Sequence, residues 1–360
     1  MTIATVPTAK CQRSKANRFR LPRGVSNLEV MADVMSVDQR STPQMAFDAA
    51  PAAGLAKRIV DNVERVLHGK RSIVELTLTA LIAEGHVLVE DVPGVGKTLL
   101  AKSLAASLSA PWRRVQFTPD LLPSDVVGVS VWEAANSTFR FHPGPVFTNI
   151  LLCDEINRAP EKTQAALLEA MEERQVTSDG LTRALPQPFF VIATQNPFEH
   201  RGTYSLPESQ LDRFLMRLSI GYPDREATLA LLDDDGGDRI IATLAPVASL
   251  PDLRALSNAA RAVHTAPAIK GYIADIVQAT RRQSDVRLGA SPRAAIALVR
   301  ACRASALCAG RSFVTPDDVQ RLAIPVLAHR VHVYEDANLT AEAAVRVSVE
   351  SIAVPVPRRA

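Results

Sequence analysis

The chain has 360 residues, of which 47% are hydrophobic and 22% charged, with a formal net charge of +3. That length exceeds the ~250 residues at which a single core stops growing, so two folded units are expected. No apolar run approaches the ~18 residues needed to cross a bilayer, which argues against membrane insertion. The small charge gives no ground for a nucleic-acid partner, and neither zinc-finger spacing nor an RNA-binding aromatic signature is present.

In the first 50 residues, Lys10, Arg13, Lys15, Arg18, Arg20 and Arg23 all precede the first acidic residue, Glu29, and no apolar periodicity is sustained. A disordered basic arm is expected over residues 1–50. It lacks the apolar core of a secretory signal, leaving an organelle-targeting segment, a contact arm or a start at Met31, Met35 or Met45 as alternatives.

From Gly54 the pattern is regular. Amphipathic helices are expected over Ala56–Leu67 and Ile73–Ala83, then a short strand over His86–Val89. Further strands are expected at Val115–Phe117, Ile150–Cys153, Phe189–Ala193 and Met216–Ile220, separated by helices and loops. This alternation predicts an α/β fold with a wound, mostly parallel sheet, whose ligand sits at the carboxyl ends of the strands. After Pro223 the chain reads as helical to about Ala328, with starts at Ser291-Pro292 and Thr315-Pro316-Asp317-Asp318. The expected division is an α/β core over 51–225, an all-helical lid over 226–335 and a tail over 336–360. An acidic, glycine-rich loop, Asp233 to Asp238, lies between core and lid. Cys11, Cys153, Cys302 and Cys308 form no CxxC pair, which points to a reducing cytoplasm and no metal-thiolate site. Cys153, inside an apolar strand, reads as a buried, unreactive thiol.

Asp91-Val92-Pro93-Gly94-Val95-Gly96-Lys97-Thr98 joins the His86–Val89 strand to a helix expected over Thr98–Leu108. This is the setting of a phosphate-binding loop. Gly94 and Gly96 let backbone N–H groups turn toward phosphate oxygens at a helix N-terminus, Lys97 bridges the β- and γ-phosphates of ATP, and Thr98 holds Mg²⁺. The formal pattern asks for glycine at position 91, where Asp91 stands. Downstream, Ile150-Leu151-Leu152-Cys153-Asp154-Glu155 is an apolar strand ending in two carboxylates, an expensive pair to bury without a use. Next to a phosphate loop, Asp154 can support Mg²⁺ through its water shell and Glu155 can act as the general base on water.

Ile150 to Val176 (ILLCDEINRAPEKTQAALLEAMEERQV), with Gln116 to Gly128 (QFTPDLLPSDVVG), resembles the MoxR family of AAA+ ATPases. The likeness runs over about residues 55–335. It implies an AAA+ P-loop core in strand order 5-1-4-3-2, a C-terminal helical lid, a hexameric ring with ATP between subunits, and chaperone-like action on protein complexes. It also implies a partner carrying a von Willebrand factor A domain. By the same likeness, Asn196 in Thr194-Gln195-Asn196-Pro197 resembles sensor 1, an amide that orients the attacking water. Arg213, in Leu206 to Phe214, resembles the arginine finger that reaches a neighbour's ATP, the alternative being an internal salt bridge to Asp212 or Glu208. Arg293, after Ser291-Pro292, resembles sensor 2, the alternative being a solvated arginine. Residues 129–142 resemble the helix-2 insert, a hairpin whose Trp132, Phe139 and Phe141 either contact a client or pack on one another. Ser178-Asp179-Gly180 reads as the turn of a further hairpin, and Ser205 stands where the family pattern has proline. A magnesium or cobalt chelatase ATPase subunit and an ATP-dependent assembly switch with negligible turnover are the rival readings.

Overall fold

A computed structural model describes residues 48–196, 204, 206–233, 238–337 and 339–356. The expected basic arm up to residue 47, the 234–237 part of the acidic loop and Ser205 lie outside the described residues. Two helices, α1 (Ala50–Glu64) and α2 (Arg71–Ile82), lead into strand β1 (Val87–Glu90), then α3 (Lys97–Ser107), β2 (Trp112–Gln116) and the short α4 (Pro123–Val127). A hairpin of β3 (Gly128–Glu133) and β4 (Thr138–Pro143) follows, then β5 (Ile150–Asp154) and α5 (Glu161–Glu173). A second hairpin, β6 (Gln175–Ser178) and β7 (Leu181–Ala184), precedes β8 (Phe190–Gln195), α6 (Glu208–Leu211) and β9 (Met216–Leu218).

Five of these strands form one parallel sheet in the order β2-β5-β8-β1-β9. Counting only those five in chain order, this is 5-1-4-3-2. The inner strands are apolar up to their carboxyl ends because both faces are covered, and side chains alternate between two cores. Val87, Val89, Leu152 and Ile192 point into one, shared with α1, α2, α3 and the lid. Leu88, Leu151, Cys153, Val191 and Ala193 point into the other, closed by Leu167, Leu168, Phe117 and Phe214. A parallel sheet aims all its carboxyl ends to one side, so the chemistry-bearing ends of β1, β5 and β8 converge.

The lid comprises α7 (Arg225–Asp233), α8 (Asp238–Thr243), α9 (Leu250–Ala262), α10 (Pro267–Thr280), β10 (Val286–Leu288), α11 (Pro292–Cys308), α12 (Pro316–Leu327), β11 (His332–Val333) and α13 (Ala341–Ser351). The Ser291 hydroxyl caps α11 through the Ala294 N–H, and the Asp318 carboxylate accepts from the Thr315 N–H at the start of α12. Two expectations need correction. The lid is not all helical: β10 and β11 pair antiparallel, Val286 opposite Val333 and Leu288 opposite His332. Strands of three and two residues are too short to leave an alternation signal. The stretch expected as a tail contains α13, which buries Ala344 and Val345 in the lid's core. Among the described residues no helix is long and apolar enough to cross a membrane.

Candidate active site

The turn from β1 to α3 has backbone torsions that only glycine adopts cheaply at two places: Gly94 has φ +84° and Gly96 has φ +100°. At Gly96 a side chain would also meet Leu67 Cδ1 at 2.9 Å. The loop therefore curls over the N-terminus of an 11-residue helix, Lys97–Ser107, whose first N–H groups face a cavity of about 350 Å³. Pro93, Gly94, Gly96, Lys97 and Thr98 line it from this side, joined by Leu99. Asp154 and Glu155 enter from the end of β5, Thr194 and Asn196 from the end of β8, and Arg114 and Gln116 from β2.

Asp91, Val92 and Val95 do not line the cavity. Val95 is buried in the core. The Asp91 carboxylate turns away and clamps β1 to the chain leaving β9: Oδ2 accepts from the Gly221 N–H (2.7 Å) and the Ser219 hydroxyl (3.0 Å), and Oδ1 from the Val92 N–H (2.9 Å). Burial raises its pKa, yet these donors outweigh burial and hold it below the usual carboxylate value. The departure from glycine at position 91 thus has a structural use. The Asp91 carbonyl accepts from Lys97 Nζ. Burial lowers the Lys97 pKa, while Asp91, Asp154 and Glu155 pull it back toward the charged form.

The acidic pair is held by a polar network. Asp154 Oδ2 accepts from Arg114 Nε at 2.6 Å and Oδ1 from the Thr194 hydroxyl at 3.2 Å. That hydroxyl in turn accepts from the Glu155 N–H at 3.0 Å. Glu155 sits in the left-handed region, φ 55° and ψ 51°, a strained backbone for a non-glycine residue that turns its carboxylate off the strand axis. Its Oε2 accepts from Gln116 Nε2 (2.7 Å) and Arg158 Nη1 (2.9 Å). The Thr98 hydroxyl and Asp154 carboxylate are hard oxygen donors, suited to Mg²⁺ with retained waters rather than to a softer metal.

Arg114, Gln116, Thr194 and Arg158 escaped the sequence reading. Arg114 and Gln116 are two apart on β2 and so share a face, but the register that sets Gln116 beside Asp154 exists only once β2 pairs with β5. Thr194 becomes meaningful only once β8 is known to lie beside β5.

Asn196 reaches the cavity, but Arg213 and Arg293 do not. Arg213 Nε lies 3.1 Å from Glu172 Oε2, and Arg293 Nη2 donates to Glu172 Oε1 at 2.5 Å. One carboxylate on α5 therefore holds both arginines. The partners considered from sequence for Arg213 are otherwise engaged: Asp212 with Arg330 and Glu208 with Arg287. On the first hairpin Trp132 and Phe139 form an edge-to-face pair at 5.1 Å yet remain 51% and 72% exposed. Phe141 packs against Phe147 and beneath the Arg183 guanidinium of the second hairpin.

The profile of the ATPase family associated with various cellular activities (AAA) matches residues 86–216, and that of the AAA lid domain matches 278–348. Chaperone MoxR1 of Mycobacterium tuberculosis is 39% identical over 86% of this chain and 87% of its own length. Uncharacterized protein YeaC of Bacillus subtilis is 50% identical over 87% of this chain and 98% of its own. A crystal structure from Cytophaga hutchinsonii superposes with a TM-score of 0.80 at 34% identity, covering 86% of this chain and 97% of that one. A phosphate loop, an acidic strand end and a helical lid in this order, with relatives matched over nearly their full length, place the chain in the MoxR family of AAA+ ATPases.

Proposed function

We propose that this protein is a Mg²⁺-dependent ATPase that works as a hexameric ring and uses hydrolysis to remodel or mature partner protein complexes. The observation that carries this reading is the single cavity in which Lys97, Thr98, Asp154, Glu155 and Asn196 converge while Arg213 and Arg293 stay outside it. In this reading the loop N–H groups and Lys97 bind the phosphates, and Thr98 and Asp154 hold Mg²⁺, which neutralises phosphate charge when bound. Glu155 takes the proton of the attacking water and Asn196 orients that water. The γ-phosphate leaves as inorganic phosphate. The arginine that lines the cavity, Arg114, is committed to Asp154, so a neighbour supplies Arg213 as the finger and turnover requires assembly. The exposed Trp132 and Phe139 are the client-facing pair, and a von Willebrand factor A domain protein in the cytoplasm is the proposed partner.

The test is the ATPase rate against protein concentration for the wild type, Glu155→Gln and Arg213→Ala, with sedimentation in ATP. Specific activity is expected to rise as rings form. Both variants are expected to bind ATP and lose turnover, Arg213→Ala by roughly 10³-fold or more. A wild type that binds ATP but whose rate neither variant alters would overturn these roles and favour the assembly switch.

A further inference from the structure

The backbone on either side of Arg213 is held by the lid. Arg330, in the turn that follows α12, is buried with 4% of its side chain exposed. Its Nη2 donates to the Asp212 carbonyl at 3.0 Å and to the Phe214 carbonyl at 2.7 Å. Its Nη1 donates to the Val326 carbonyl in the last turn of α12 at 3.0 Å, and its Nε lies 2.8 Å from Asp212 Oδ1, off the axis of a linear hydrogen bond. The neighbouring His329 places Nε2 3.0 Å from the same Phe214 carbonyl. Two successive lid residues thus grip the carbonyls immediately before and after Arg213.

The core fixes this segment mainly on its downstream side, where the Leu215 N–H donates to the His86 carbonyl. Arg213 follows α6, a helix of four residues, too short to hold its shape alone. Phe214 is fully buried and anchors the downstream side, but its carbonyl is satisfied from the lid. A guanidinium suits the task because its planar fork serves several acceptors at once, while an ammonium is a point donor on a flexible stem.

We infer that Arg330 is a positioning residue for Arg213, so that each subunit's lid sets the aim of the finger it presents to its neighbour. This rests on Arg213 acting in trans. It makes the finger a reporter of its own subunit's lid position, since moving α12 moves both carbonyls.

Mixed assemblies test it. Glu155→Gln subunits have a dead site but an intact finger; Arg213→Ala subunits have an intact site but no finger. Each alone should be idle, and their mixture should hydrolyse ATP. Adding Arg330→Lys to the Glu155→Gln subunit should lower the mixture's rate roughly tenfold to a hundredfold, the cost of an ångström-scale misplacement. Adding it to the Arg213→Ala subunit should leave the mixture's rate unchanged, because that subunit presents no finger. Thermal melting checks that the variant folds. If it does not, Asp212→Asn, which keeps the carbonyl contacts and removes only the charge beside Nε, should give the same asymmetry at a few-fold. If the parent mixture is idle, trans action fails and the inference with it. If that mixture is active but the variant's effect is absent or equal in both placements, Arg330 only fastens the lid and the inference alone is overturned.

Discussion

His86 joins the two halves of the core just before the phosphate loop. It is buried, with Nδ1 accepting from the Val191 N–H at 3.0 Å and Nε2 donating to the Met171 carbonyl at 3.2 Å. That pair of bonds needs the neutral ring, and burial pushes its pKa down to about 4. An unfolded histidine titrates near ~6.5, so between these values the unfolded chain binds the extra proton and stability falls as pH falls. The contribution is complete above the unfolded value and is lost as pH drops toward the folded one. It amounts to roughly 3 kcal/mol, from about 1.36 kcal/mol per unit of pKa. Thermal melts from pH 7 to about 4.5 should show Tm falling, and His86→Gln should melt lower at pH 7 but with a shallower acid slope. A slope unchanged by the substitution would show that His86 is not the group responsible.

At the level of elements, the first hairpin is rooted by a contact of backbone on backbone. A methyl group on Gly144 would lie 2.3 Å from the Val126 carbonyl oxygen and 2.5 Å from the Gly128 nitrogen. No rotamer change relieves such a clash, so Gly144→Ala should cost about 1–3 kcal/mol and loosen the β3–β4 base. Denaturant melts read the first effect and the fluorescence anisotropy of Trp132, with Trp112 replaced by Phe, the second. Unchanged values would mean that the base can yield.

Much of this architecture was legible because its signals are local. Gly94, Gly96, Lys97 and Thr98 are contiguous, Asp154 and Glu155 end one apolar strand, and Ser178-Asp179-Gly180 closes a hairpin whose Asp179 and Gly180 both take positive φ. The relations that escaped are those between elements. Arg114 meets Asp154 only through strand pairing, Glu172 meets Arg213 and Arg293 only through tertiary packing, and β10 finds β11 only after two helices have intervened. Asp91 reads as a defect in a motif until its three donors are seen.

For the molecule as a whole, Glu172 sets the state of both outward arginines. Half-exposed ion pairs add about 0–1 kcal/mol to stability, so Glu172→Gln should leave Tm nearly unchanged. In the proposed ring it should nevertheless free Arg213 for a neighbouring subunit's nucleotide. ATP-dependent assembly is then expected at a several-fold lower protein concentration in sedimentation, and assembly at the wild-type concentration would mean that the pairing costs the ring nothing. The sheet that supports all this has β2 and β9 at its edges. β9 is joined through Arg217 to Glu90 and to Glu342 of α13, whereas β2 carries Arg113 and Arg114 in succession, on opposite faces of the sheet. Charged side chains on an edge strand disfavour a second strand seeking to extend the sheet. The residue that steadies Asp154 therefore also guards the protein against aggregation, and an apolar replacement at Arg114 would endanger solubility as well as catalysis.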